Sequence, residues 1–222
     1  MSKQPTLRWR RRKEARPAEI LTAALACFKE RGFARTRLED VATKAGVTKG
    51  TVYLYYTNKE ELFKAVVRSE LAPNVARLEK LLAEPGSAAV LLERIIRFWA
   101  EDIAPSPLSV IPKIIFGEAG NFPDLARFFL EAVPCRMRRL LASVLRRGID
   151  GGEFRPVDID HVVYCIIGPL ILSVLWQHSL GPYDDQPLDV QAVCRAHLDL
   201  ILHGLRGAKS SSAKPAGKGG KR

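Results

Sequence analysis

Apolar residues recur every three to four positions along almost the whole chain, and no stretch alternates with the period of two that a half-buried strand requires. The pattern predicts an all-α protein. A first helix over 17–32 takes Pro17 and Glu19 into its first turn. It sets Ile20, Leu21, Ala24, Leu25 and Phe28 on one face and stops at Gly32. Thr36-Arg37-Leu38-Glu39 then reads as a capping box, with Thr36 capping the amide of Glu39 and Glu39 reaching back, ahead of a short helix over about 37–45. Gly46 ends it, and Thr48 caps a further short helix through Thr51, Tyr53 and Tyr55. Thr57 and Glu60 form a second box before a longer helix with Leu62, Phe63, Val66 and Val67 on its apolar side, which Pro73 should break or kink.

Beyond that point helices are expected near 74–84, 87–104, 108–119, 123–148, 158–180 and 187–206, with kinks at Pro134 and Pro169. The fold class is an N-terminal three-helix head joined to a larger helical body. Its segments are a flexible basic arm at 1–15, the head at 16–64, the body at 65–206 and a low-complexity, disordered tail at 207–222.

Charge sharpens this division. The 222 residues carry 35 basic and 24 acidic groups, a net charge of +11. Residues 1–64 hold +8 of it and residues 206–222 hold +6, while the stretch between them is −3. An excess confined to head and tail asks for an anionic partner there. The uncharged run Val162–Trp176 is shorter than a membrane-spanning helix needs and reads as a helix buried on most sides. The basic N-terminus leads into no apolar leader segment, so a cytoplasmic protein is expected, on the nucleoid when bound to DNA. Cys27, Cys135, Cys165 and Cys194 are too dispersed for a disulfide scaffold or zinc ribbon. Cys194 and His197 share a helix face, but no further ligand sits at a matching spacing, and neither a metal nor a cofactor is expected.

Two short capped helices joined across Ala45-Gly46-Val47, behind a supporting helix, make a helix-turn-helix. The second presents Thr48, Lys49, Gly50, Thr51 and Tyr53 at its N-terminal end, the hydroxyls, ammonium, bare backbone and phenol that meet phosphates and base edges. The run L-E-D-V-A-T-K-A-G-V-T-K-G-T-V-Y-L-Y-Y-T-N-K-E-E-L resembles the DNA-binding head of TetR-family transcriptional regulators, over roughly residues 16–64. The resemblance implies a homodimeric, ligand-responsive regulator, most often a repressor, and not an enzyme. Lys49, Gly50, Thr51 and Tyr53 match the family's base-reading or groove-facing positions, Tyr55 and Lys59 its phosphate contacts, and Thr36 the cap that contacts backbone. Arg37 departs from the family's frequent threonine and substitutes a longer, charged contact. Arg10, Arg11 and Arg12 form an arm able to enter the minor groove.

In the body, Glu118-Ala119-Gly120-Asn121-Phe122-Pro123-Asp124-Leu125-Ala126 is similar to a C-terminal segment of an AefR-like subset of that family. Read from the residues alone it is a capped helix start, with Asn121 as the cap. Candidates for an apolar effector pocket are Phe98, Trp99, Ile114, Phe116, Phe129, Met137 and Tyr164. The last helix is apolar over roughly 200° of its circumference, wider than one core face needs. Its second stripe, Val193, Ala196, Leu200 and Gly204, should therefore meet another subunit together with Ile171, Val174 and Leu175 of the uncharged helix. Against a homodimer released from a palindromic operator stand two other readings. One is a non-specific DNA-compacting protein driven by arm and tail; the other is an enzyme using Glu101, Asp102 or Glu118. No nucleophile elbow, phosphate loop or metal-ligand cluster supports the enzyme.

Overall fold

The computed structural model describes residues 7–83 and 85–206, with side chains from residue 16 onward, residue 83 excepted. Among them every regular element is helical: α1 (Leu7–Arg35), α2 (Leu38–Lys44), α3 (Lys49–Tyr55), α4 (Lys59–Val66), α5 (Ala72–Ala83), α6 (Ala88–Phe98), α7 (Ile111–Glu118), α8 (Pro123–Ala132), α9 (Pro134–Asp150), α10 (Ile159–Ser179) and α11 (Val190–Arg206).

The boundaries depart from the sequence pattern where local chemistry outweighs it. Helix α1 begins ten residues before Pro17, so the backbone of 7–15, expected as a flexible arm, is helical; arginine and lysine are good helix formers and no glycine interrupts them. The side chains of Arg10, Arg11 and Arg12, and the whole tail from 207, lie outside the described residues. Near its end α1 turns at Gly32, where φ of 76° is open to glycine at no steric cost. The cap of α2 is not Thr36: that residue is buried, its hydroxyl donating to the carbonyls of Gly32 (2.7 Å) and Cys27 (3.3 Å). The reciprocal contact is instead Asp40 Oδ2 accepting from the Arg37 amide at 3.0 Å. Likewise α4 is capped by Asn58, whose Oδ1 accepts from Glu61 N at 2.8 Å, one residue beyond the expected Thr57.

Pro73 breaks nothing. A π-helical turn, Val67–Leu71, precedes it, with the Ala72 amide bonded to the Val67 carbonyl five residues back. The widened turn contains Ser69, whose carbonyl the Pro73 ring would otherwise strike, so helical backbone runs from Lys59 to Ala83 without interruption. The residue 64/65 boundary between head and body therefore falls inside one rod. A second π turn, Trp99–Ile103, prolongs α6. At Pro134 the chain does break: Val133 leaves helical geometry (φ −129°, ψ −69°) and separates α8 from α9. With 21 residues, α10 is longer than the uncharged run within it and is long and apolar enough to cross a membrane by length and composition. Here it packs Val163, Ile166, Leu170 and Val174 into the protein interior.

Two cores result. One joins α1 to α4 with the inner faces of α7 and α8, so Phe28, Phe33 and Phe63 of the head share it with Val110, Ile111, Leu125 and Phe129. Those three head rings stand 5.5 Å apart pairwise, and Phe33 also meets Phe122 edge-to-face at 4.9 Å. The other core gathers α5, α6, α9, α10 and α11 around Leu92, Ile96, Leu145 and Ile166.

Candidate nucleic-acid interface and sensor cavity

Gly46 (φ 65°) turns the chain between α2 and α3, and Val52, fully buried, pins α3 to the head by its inner face. Everything N-terminal and outward on α3 is then left in solvent. Thr48 Oγ1 accepts from Thr51 N at 3.2 Å and stands 2.9 Å from the Thr51 hydroxyl, so one side chain both caps the helix and fixes its neighbour. Lys49 and Gly50 are exposed, Thr51 is half-buried and Tyr53 is 43% exposed. The Lys49 ammonium lies 5.5 Å from the centre of the Tyr53 ring and 2.5 Å from Glu39 Oε1 of α2. This pair lifts the Lys49 pKa above the ordinary lysine value and draws Glu39 below the ordinary carboxylate value. Tyr55 and Tyr56 both pack part-buried against the head core, Tyr56 with its phenol pushed up by burial. Arg37 is exposed at the start of α2.

Two expected DNA contacts point elsewhere. Thr36 is buried and its hydroxyl is spent on α1 carbonyls. Lys59 turns inward: its ammonium donates to the carbonyls of Phe33 (2.7 Å) and Ala34 (2.8 Å) and sits 4.5 Å from the Phe33 ring centre. These carbonyls lie at the end of α1, just past the turn at Gly32, and burial pulls the Lys59 pKa down. Two outward residues at this surface are not assigned to it by the sequence motif. Leu54 is an apolar side chain 75% exposed on α3, and Glu39 lies beside Lys49 only because α2 and α3 cross at Gly46.

Within the body an apolar cavity of about 770 Å³ opens among α5 to α10. Phe98, Trp99, Phe116, Phe129, Met137 and Tyr164 line it; Ile114 does not, since it faces the head core instead. Of the residues expected at a subunit interface, Val174 is completely buried, while Ile171 and Leu175 are part-buried and line the cavity, as Leu172 between them also does. The large apolar side chains that α10 and α11 leave exposed are Tyr164, Leu172 and Leu200, with Ala196 and Gly204 on the same side of α11 as Leu200; Val193 is half-buried. Polar groups at the cavity are few. Arg138 donates to the Tyr164 hydroxyl and to Cys135 Sγ (3.0 Å), and Arg127 pairs with Asp124 at 3.0 Å.

The wall made by α7 joins cavity to head. Pro112, Ile115, Phe116 and Ala119 face the cavity, and Glu118 reaches the other way, its Oε1 accepting from the Ala34 amide at 3.1 Å while Oε2 accepts from Asn121 Nδ2 at 3.2 Å. Asn121 therefore does not cap α8; Phe122 occupies the cap position without a side-chain bond. No group of three or more His, Cys, Asp or Glu is arranged for a metal among the described residues, and His197 uses Nε2 on the Ile166 carbonyl (2.9 Å).

Residues 20–66 match the family described as bacterial regulatory proteins, tetR family, and residues 92–166 match the AefR-like transcriptional repressor C-terminal domain. The repressor KstR2 of Mycobacterium tuberculosis is 30% identical over 193 residues, spanning 86% of this chain and 93% of its own. The chain belongs to the TetR family. Its members' fold returns in solved structures. FadR of Bacillus subtilis in complex with stearoyl-CoA superposes with a TM-score of 0.73 at 23% identity, over 85% of this chain and 98% of FadR. The ketosteroid regulator KstR2 of M. tuberculosis superposes with 0.65 at 25% identity, over 87% and 96%. This TetR-family protein is a sequence-specific DNA-binding transcriptional repressor, and α3 lies inside its matched head. The Glu118–Ala126 segment falls inside the AefR-like match, and its glutamate accepts a hydrogen bond from the head at the Ala34 amide.

Proposed function

We propose that the chain acts as a homodimer on a palindromic operator and is released by an amphiphile whose apolar part fills the cavity of about 770 Å³ and whose anionic end meets Arg127 and Arg138. The observation that carries this reading is the cavity itself: a volume suited to one small ligand, almost wholly apolar walls, and two guanidinium groups at its lining. The stearoyl-CoA in complex with FadR is an amphiphile of this kind, a long apolar chain on an anionic carrier. Lys49, Gly50, Thr51 and Tyr53, with Arg37 at the start of α2, make the DNA contacts, and Arg10, Arg11 and Arg12 add phosphate attraction on the way in.

The exposed Leu200, Ala196 and Gly204 of α11 with Tyr164 and Leu172 of α10 form the subunit contact, which spaces two α3 helices about 34–36 Å apart. An effector shifts that spacing only by its differential affinity for the two states. The route open to it is α7, which is cavity wall at Phe116 and head contact at Glu118. The protein works where DNA is, in the cytoplasm.

The test selects bound sites from random duplexes, then titrates the winning site's complex with long-chain acyl-CoA, free fatty acid and a sterol-derived acyl-CoA while following fluorescence anisotropy. Release by at least one of these at micromolar concentration is expected. Release by none, with operator binding intact, refutes the effector class. Sedimentation of Leu200→Glu should give monomer where the parent chain gives dimer; an unchanged dimer refutes the interface.

A further inference from the structure

A carboxylate beside a DNA-reading lysine is costly unless it has a task. Glu39 stands in the first turn of α2 with its side chain 46% exposed, and Lys49, 58% exposed, is the first residue of the recognition helix. Residues at the N-terminal end of such a helix are those that reach base edges in the major groove. The 2.5 Å approach between them places an acceptor-only group next to a donor-only group at that edge. Three other acidic groups of the head pair with cations of their own: Asp40 with Arg31, Glu30 with Lys44 and Glu61 with Lys64. The Glu39 backbone is also fixed, its carbonyl accepting from the Thr43 hydroxyl at 3.0 Å within α2.

In the major groove guanine and thymine present acceptors alone, through N7 and O6 or through O4, whereas adenine N6 and cytosine N4 present amino donors. A carboxylate is repelled by the first two and satisfied by the last two. Lys49, beside it, needs an acceptor such as a purine N7 or O6. We infer that Glu39 and Lys49 act as one reading unit in which Glu39 accepts from the amino group of an adenine or cytosine in each half-site while Lys49 donates to a neighbouring purine acceptor. Glu39 is thus a specificity-determining residue outside α3. It has a second effect: it restrains Lys49 from the phosphates, so the head gives up some non-specific affinity and discriminates better.

The inference rests on the repressor reading, and the experiment separates the two. Full-length parent chain, Glu39→Gln and Glu39→Ala are each used to select from the same random duplex pool, and each is titrated with a duplex of scrambled sequence across a range of salt. The expected result is a parent site carrying A or C at one position per half-site. In Glu39→Ala that preference falls by about tenfold. Binding to the scrambled duplex becomes tighter, and its log K against log salt steepens by about 1.8, about 0.9 for each head, as the two Lys49 side chains take up phosphates. Glu39→Gln, isosteric and still carrying an acceptor oxygen, keeps part of the preference and checks folding if Glu39→Ala melts early. Identical selected sites from all three chains, or unchanged binding to the scrambled duplex, overturns the role of Glu39 while leaving the repressor intact. A parent chain that selects no site overturns both.

Discussion

Lys59 offers a direct contest between family position and local geometry. In Lys59→Met the stem keeps its length and apolar packing, but the ammonium and its two bonds to Phe33 and Ala34 disappear. A hydrogen bond from a charged group contributes about 1.5–3 kcal/mol net. Lys59 is only half-buried, so the pair together is taken as about 2 kcal/mol, with about 0.5–1 kcal/mol more from the ammonium over the Phe33 ring. A destabilisation of about 2–3 kcal/mol in a protein of this size lowers Tm by roughly 5–10 °C. Thermal unfolding by circular dichroism reads this first quantity. The second is the salt dependence of operator binding, measured well below the lowered Tm. If each head of the dimer held a phosphate through Lys59, the substitution would make log K against log salt shallower by about 1.8, about 0.9 for each head, whereas a lysine spent on carbonyls leaves the slope where it was. An unchanged Tm with a shallower slope would refute the inward assignment and restore Lys59 to the phosphates.

Glu118→Ala removes the acceptor that joins α7 to the Ala34 amide. The ratio of operator affinities with and without effector should shrink about fivefold, for a decrease of about 1 kcal/mol in the coupling, with effector affinity for free protein nearly unchanged; an intact ratio in anisotropy titrations counts against α7 as the route. Gly148→Ala puts a Cβ 2.2 Å from the Phe154 ring, which is 3% exposed, and should cost about 1–3 kcal/mol in chemical denaturation. Phe154→Leu in the same chain should recover part of it, and simple additivity would refute the clash. His178 Nε2 stands 2.8 Å from the Ser109 hydroxyl; burial holds its pKa below the ordinary 6.5, with Lys29 of α1 and Lys113 of α7 pressing the same way. Because the unfolded chain then binds the proton more tightly, this contribution to stability is complete above about pH 6.5 and is lost as pH falls through the folded value. His178→Asn should flatten the Tm profile between neutral and mildly acidic pH relative to the parent.

Helix periodicity and caps carry the all-α class, most helix positions and the recognition helix, because those signals are local. What escapes them is contact between segments distant in sequence. Thr36 and Lys59 sit at positions where a motif promises DNA, yet the turn at Gly32 leaves carbonyls within their reach and takes both side chains. Pro73 reads as a stop because the rule for proline assumes an α turn ahead of it, and a π turn removes the clash. That Ile171, Leu172 and Leu175 line the cavity while Val174 is sealed in the core is not encoded in the pattern along one uniformly apolar helix. Pocket residues are legible where aromatic side chains outnumber the positions a core needs, and Ile114 shows the limit of that reasoning.

The shared core of α1 to α4 with α7 and α8 bears on how such a protein can be taken apart and recombined. A chimera cut at residue 64 would carry the recognition helix but leave behind the wall on which Phe33, Phe63 and Phe28 lean. The interchangeable unit is larger than the sequence motif: a transplanted reading head would need the Val110–Phe129 segment as its cradle, or a host whose own segment fits the same three rings. In this chain the reading head and the piece of the sensor that touches it are one packing unit.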